Sequence, residues 1–88
     1  MKFPLGQCVI TRHALNYADE RGLVPLLLLR RHARGDWGDL GADDKRLNDD
    51  AIRSGGRIFS AYDYGGERWF VITEWDRSVT TIMLASDY

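Results

Sequence analysis

The sequence predicts one small α+β domain in the order βαααβββ: a short N-terminal strand and three helices, then a three-stranded antiparallel meander, with the helices packed on one sheet face. Three observations predict it. Apolar residues recur at helical spacing between positions 12 and 54, and runs rich in aromatic and β-branched residues follow Gly55-Gly56. Between the second and third helices, the string Gly35-Asp36-Trp37-Gly38-Asp39 breaks the helical pattern with turn-forming residues. Eighty-eight residues with no repeat, low-complexity tract or linker fit a single domain with one core. A chain of this size buries only roughly 60–65% of the surface its unfolded form exposes, so a surface site is expected rather than a deep cavity.

The first strand is read over 7–10, where Gln7-Cys8-Val9-Ile10 follows Pro4 and Gly6. Thr11 is placed to cap a helix over 12–21 that buries Ala14, Leu15 and Ala18 and stops at Gly22. Pro25 opens a second helix, since its missing N–H would be unpaired there in any case. Leu26 to Leu29 are apolar all round, which leaves two stripes open, Leu26/Leu29/Ala33 or Leu28/Leu29/His32, and at least one leucine exposed. Arg30, Arg31, His32 and Arg34 suit the negative end of the helix dipole, and Gly35 ends the helix.

Asp39 reads as the N-cap of a third helix running to about Arg53 or Ser54, with Asp43 and Asp44 near its positive end. Its apolar residues are Leu40, Leu47, Ala51 and Ile52, and Asp49 and Arg53 stand at pairing distance in sequence. The meander is expected at 57–63, 68–74 and 78–84, with Gly65-Gly66 supplying the positive φ angles of a tight hairpin. Phe59, Ala61, Phe70, Ile72, Ile82 and Leu84 are assigned to the helix-covered face. Tyr62, Trp69, Val71, Val79 and Met83 then form an opposite face apolar enough to suggest a partner or a dimer.

A net charge of −1 argues against a protein that wraps nucleic acid. The charges are nevertheless segregated. Arg30, Arg31 and Arg34 form a basic cluster, and Asp36, Asp39, Asp43, Asp44, Asp49 and Asp50 make the next stretch acidic. One cysteine, Cys8, makes neither an intramolecular disulfide nor a zinc framework. With no secretory stretch and a longest apolar run of 23–29, a cytoplasmic protein without a membrane span is expected.

Two clusters could carry chemistry. His32, Asp36 and Asp39 bring an imidazole and two carboxylates together, an inventory for acid–base work or a divalent metal, but at no recognised ligand spacing. Structurally, Asp36 and Asp39 read as a turn former and a helix cap, with Trp37 as the anchor of the turn. Glu74, Asp76, Arg77, Thr80 and Thr81 could hold a phosphate or carboxylate through Arg77, and read structurally as hairpin polarity. A nuclease would recruit His13, His32 and the arginines, which the acidic third helix opposes. Cys8 reads as a small core filler rather than a nucleophile.

At Arg31-His32, at Gly35-Asp36-Trp37-Gly38-Asp39-Leu40, at Ile72-Thr73-Glu74, at 76–82 and at Tyr88, the chain resembles the "plasmid-related" family of small bacterial proteins carried on mobile elements. The likeness covers nearly the whole length, including Pro25-Leu26 and Asp43-Asp44-Lys45. It departs at Leu27, where a charged residue is more usual, and in the extra Trp75. The resemblance carries over no catalytic residue, metal or cofactor. It implies the setting of accessory proteins that disable host defences, CRISPR effectors or restriction enzymes, or that assist plasmid maintenance.

The expected function is thus a non-catalytic protein-binding accessory protein that inhibits a host defence complex. Its partner-binding residues would be Arg30, Arg31, Arg34, Asp36, Trp37, Asp39, Asp43, Asp44 and Arg77. The alternatives are a small nuclease or toxin built on His32, and a homodimeric plasmid-maintenance factor.

Overall fold

The computed structural model describes residues 2–88. Its elements are β1 (Gln7–Ile10), α1 (Arg12–Arg21), α2 (Leu26–Ala33), α3 (Ala42–Ser54), β2 (Ile58–Tyr64), β3 (Glu67–Thr73) and β4 (Val79–Leu84), followed by a 3-10 turn at Ala85–Asp87. The strands form one four-stranded mixed sheet in the order β1-β4-β3-β2. β1 joins the meander by running parallel to β4, with Gln7 beside Val79 and Ile10 beside Ile82. No helix among the described residues is long and apolar enough to cross a membrane.

Local chemistry sets most boundaries. The Thr11 hydroxyl accepts the Ala14 N–H at 3.2 Å, and Gly22, at φ 65°, closes α1 by donating to the Ala18 carbonyl. Pro25 stands just ahead of α2 with helical angles. Of the two α2 stripes the second is buried: Leu28 and His32 are in the core, whereas Leu26 and Leu27 are exposed. Leu15, expected inside, is also exposed.

The third helix departs further from expectation. It begins at Ala42 with Gly41 as its N-cap and no side-chain capping bond. Asp39 instead holds β2: its backbone N–H donates to the Ala61 carbonyl at 2.7 Å and its carboxylate accepts the Asp63 N–H at 3.0 Å. Arg53 pairs with Asp50, not Asp49, because the Asp49 carboxylate accepts the Trp37 indole N–H at 2.9 Å. Leu47 is 65% exposed, and the core position beside Ala51 belongs to Asn48.

These displacements share one cause, the outer edge of β2. An unpaired edge must be covered or charged, and the segment 37–48 covers this one. The Asn48 amide accepts the Phe59 N–H at 3.1 Å and donates to the Phe59 carbonyl at 2.8 Å, as a neighbouring strand would. The Ala61 N–H donates to the Trp37 carbonyl at 3.2 Å, and Asp39 completes the row.

The sheet register corrects the assignment of faces. Tyr62 stands opposite Trp69 and Leu84, Ser60 opposite Val71 and Ile82, and Ile58 opposite Thr73 and Thr80. Tyr62, Trp69 and Val71 therefore share the helix-covered face with Ile82 and Leu84, while Phe59, Ala61, Phe70 and Ile72 lie on the outer face with Val79 and Met83. The expected set mixed the two because it assigned each strand separately, and a one-residue slip exchanges every side chain. Under α1 and α2, a main cluster joins Ala14, Ala18, Leu28, Tyr62, Trp69, Val71, Ile82 and Leu84. A second gathers Phe3, Trp37, Ala51 and Ile58 under α3.

Candidate functional site

Between the two clusters lies a row of buried polar side chains centred on His32. Its Nδ1 lies 2.5 Å from the Ser60 hydroxyl and its Nε2 2.9 Å from that of Thr73. Thr73 lies 2.7 Å from the Thr80 hydroxyl, which reaches the Leu5 carbonyl at 2.7 Å. A carbonyl can only accept, so the direction of the chain is fixed. Thr80 donates to Leu5, Thr73 to Thr80 and His32 Nε2–H to Thr73, which leaves Nδ1 to accept from Ser60. All four side chains are fully buried, and burial pushes the imidazole down to about 4, holding it neutral. The edges of Phe3 and Trp37 close around the ring at centroid distances of 5.3 and 5.8 Å.

The first candidate cluster is therefore not brought together. His32 points into the core with both nitrogens engaged, while Asp36 and Asp39 stand at the surface. Asp36 is occupied by Arg31, whose guanidinium donates to it at 2.7 and 3.3 Å, and by the Gly38 N–H at 3.2 Å. The Arg31 bond is the main influence holding that carboxyl below its usual range. Arg31 also lies over the Tyr62 ring, 4.6 Å from its centroid, and the Tyr62 hydroxyl donates to the Asp36 carbonyl at 2.6 Å. Burial pushes that phenol up to about 12. The junction of α2 and α3 is thus closed on itself.

Two further residues expected at a partner surface have internal tasks. Trp37 is 4% exposed and anchors the turn. Arg77 donates from Nη1 to the Gly56 carbonyl and from Nη2 to the Ala51 carbonyl, both at 2.7 Å, with longer bonds to the Glu74 and Trp75 carbonyls. It ties the last turn of α3 to the β3–β4 turn, where its own backbone takes φ 61°. Of its expected companions, Asp76 accepts the Ser78 N–H at 3.0 Å and Thr80 belongs to the buried row. The Arg77 guanidinium is thus engaged by backbone carbonyls of the protein itself. Cys8, expected as a core filler, is exposed on β1.

What remains at the surface near these residues is Arg30, Arg34 and the outward face of α3. Of the six carboxylates from Asp36 to Asp50, Asp36, Asp39 and Asp49 are held by internal donors. Asp43, Asp44 and Asp50 are exposed, two of them in surface pairs with Arg46 at 3.3 Å and Arg53 at 3.1 Å. Pairs of this kind contribute roughly 0–1 kcal/mol and exchange readily for other partners. Leu47 stands in the middle of these carboxylates, one turn from Asp43, Asp44 and Asp50.

Beside it an open groove of about 350 Å³ runs from α3 to the outer sheet face, lined by Leu40, Asp44, Leu47, Asn48, Arg57 and Phe59. Phe59, Phe70 and Tyr88 continue the apolar surface with ring centroids 4.7 to 5.8 Å apart. Apolar anchors within a charged rim are the anatomy of a protein-binding patch. Exposed Leu47 and the aromatic groove were not singled out in the sequence, because helical spacing placed Leu47 in the core. Comparison with family models, with curated proteins and with solved structures returned no match for this chain.

Proposed function

We propose that this protein is a non-catalytic, cytoplasmic protein-binding module of a mobile genetic element. Its α3 surface would dock into the basic, nucleic-acid-binding cleft of a host defence complex such as a CRISPR effector or a restriction enzyme. The observation that supports the reading most is Leu47, 65% exposed among Asp43, Asp44 and Asp50 at the mouth of an aromatic groove. Carboxylates at helical-turn spacing take the place of phosphates in such a cleft, and the leucine and groove supply the desolvated anchor that a purely electrostatic contact lacks. The setting comes from the resemblance to plasmid-related proteins.

The test is expression of the chain in cells with active CRISPR interference and, separately, with active restriction. Plasmid transformation would be read beside gel filtration of the purified protein with each effector. Recovery of transformation and a co-eluting complex are expected, and both should be lost in Leu47→Arg and Asp44→Lys at unchanged melting temperature. Intact immunity in both hosts with no complex sinks the proposal.

A further inference from the structure

The two edges of the sheet are treated differently. The β2 edge is covered along its length by 37–48, whereas β1, at the other end of the strand order, has no neighbour beyond it among the described residues. The Gln7 N–H donates to the Ser78 carbonyl at 3.0 Å and the Thr11 N–H to the Ile82 carbonyl at 3.1 Å. By strand alternation, the N–H and C=O groups of Cys8 and Ile10 point away from β4 into solvent. None of the usual protections is present on this edge. Residues 3–11 carry no charged side chain, and β1 itself contains no proline.

Above the edge lies an apolar groove of about 280 Å³ between β1 and the helices, lined by Cys8, Val9, Ile10, Leu15, Leu26 and Leu29, among others. Val9, Leu15 and Leu26 are 37%, 42% and 58% exposed.

We infer that a second copy of this chain covers this edge, β1 pairing antiparallel with β1 of the second copy about a two-fold axis through Val9. Each Cys8 then faces Ile10 of the second copy and exchanges both backbone hydrogen bonds with it, so all the outward groups named above are satisfied by their own counterparts. Thr11 faces Gln7, and the first charged residue, Arg12, faces Gly6, which has no side chain. Identical strands therefore meet without like charges in contact.

The two grooves merge over the seam, and Leu15 and Leu26 of each copy close them. The three exposed side chains amount to roughly 230 Å² of apolar surface on each copy, to which the backbone pairing of β1 adds. At the usual apolar share of an interface this corresponds to about 400 Å² per partner, the size of a weak, concentration-dependent dimer. The product is a continuous eight-stranded sheet with roughly 34 Å between its outer strands, and α3 stands at both far ends. The proposed docking surface is thus displayed twice and left open.

The test is the oligomeric state of the full chain by light scattering and sedimentation, at concentrations up to about 100 µM. A dimer of twice 10.1 kDa is expected. Cys8→Pro removes only the outward N–H of β1 and should weaken the dimer about 30-fold or more. Leu26→Asp, on an exposed position, should abolish the dimer at unchanged melting temperature. In the Cys8→Ser/Val9→Cys variant, the paired Cα atoms stand about 4.5 Å apart, within disulfide reach, and mild oxidation should give a covalent dimer. A monomer throughout overturns the inference and leaves the edge to a foreign strand. A dimer that survives both Cys8→Pro and Leu26→Asp, or that fails to crosslink, overturns it as well. None of these readouts depends on a defence complex.

Discussion

Acidification is expected to weaken the fold through His32 well before its carboxylates titrate. The imidazole is pushed down from its ordinary 6.5 to about 4 because it is buried among Ser60, Thr73, Phe3 and Trp37 with both nitrogens satisfied in the neutral form. Below pH 6.5 the unfolded chain takes up a proton that the folded chain refuses. The stability that neutral His32 permits is therefore complete above pH 6.5 and is lost as the pH falls towards 4, where the folded imidazole begins to protonate. The loss amounts to about 2 kcal/mol at pH 5 and about 3 kcal/mol at pH 4.

For a chain of this length, a loss of 2 kcal/mol lowers the melting temperature by roughly 8–16 °C. Melts followed by tryptophan fluorescence between pH 7.5 and 5 would measure it, in a His13→Gln background where His32 is the only histidine. The Asp36 and Asp87 carboxyls, both held below their usual range, contribute stability that disappears only below about pH 4 and leave this window clear. A flat melting temperature across it, or an NMR titration of folded His32 near 6.5, refutes the argument and with it the neutral chain from Ser60 to Leu5.

Arg77→Ala should cost about 2–4 kcal/mol in chemical denaturation, because the Ala51 and Gly56 carbonyls lose their donor. Arg77→Gly should cost about 1 kcal/mol less, since glycine takes φ 61° freely. Wild-type stability in Arg77→Ala would mean that the guanidinium is free for a ligand after all. Gly38→Ala places a methyl group 2.0 Å from the Ala61 carbonyl oxygen and 2.5 Å from the Tyr62 ring at φ 76°, and is expected to cost about 4 kcal/mol or more, enough to leave the chain largely unfolded by circular dichroism. Gly41→Ser meets no neighbouring atom and supplies the missing cap of α3. It should raise stability by about 0.5 kcal/mol in the same denaturation assay.

Where one residue type decides a local conformation, the sequence was sufficient. Thr11 and Gly22 bound α1, Gly55 ends α3, Gly65-Gly66 turns the hairpin, and the strands fall within a residue or so of their expected places. The site was less legible. Of nine residues expected at a partner surface, Trp37 and Arg77 proved to be internal fasteners, Arg31 and Asp36 bind each other, and Asp39 supports β2. Arg30, Arg34, Asp43 and Asp44 remain exposed. Apart from the Arg31–Asp36 pair, five residues apart, each correction concerns a side chain whose partner is distant in sequence, such as Asp49 for Trp37 or Ala51 for Arg77.

The sequence by itself determined the element types and their order, because caps, turn glycines and apolar periodicity act within a few residues. Only the tertiary structure decided which face of β2 and β3 meets the helices, since alternating strands with apolar residues on both faces satisfy either choice until the register pairs Tyr62 with Trp69 and Leu84. It also decided that the Gly35–Asp39 turn lies along the β2 edge as a surrogate strand. Covering one edge in this way leaves β1 as the bare one, and that asymmetry follows from how backbone hydrogen bonds are shared across the whole sheet.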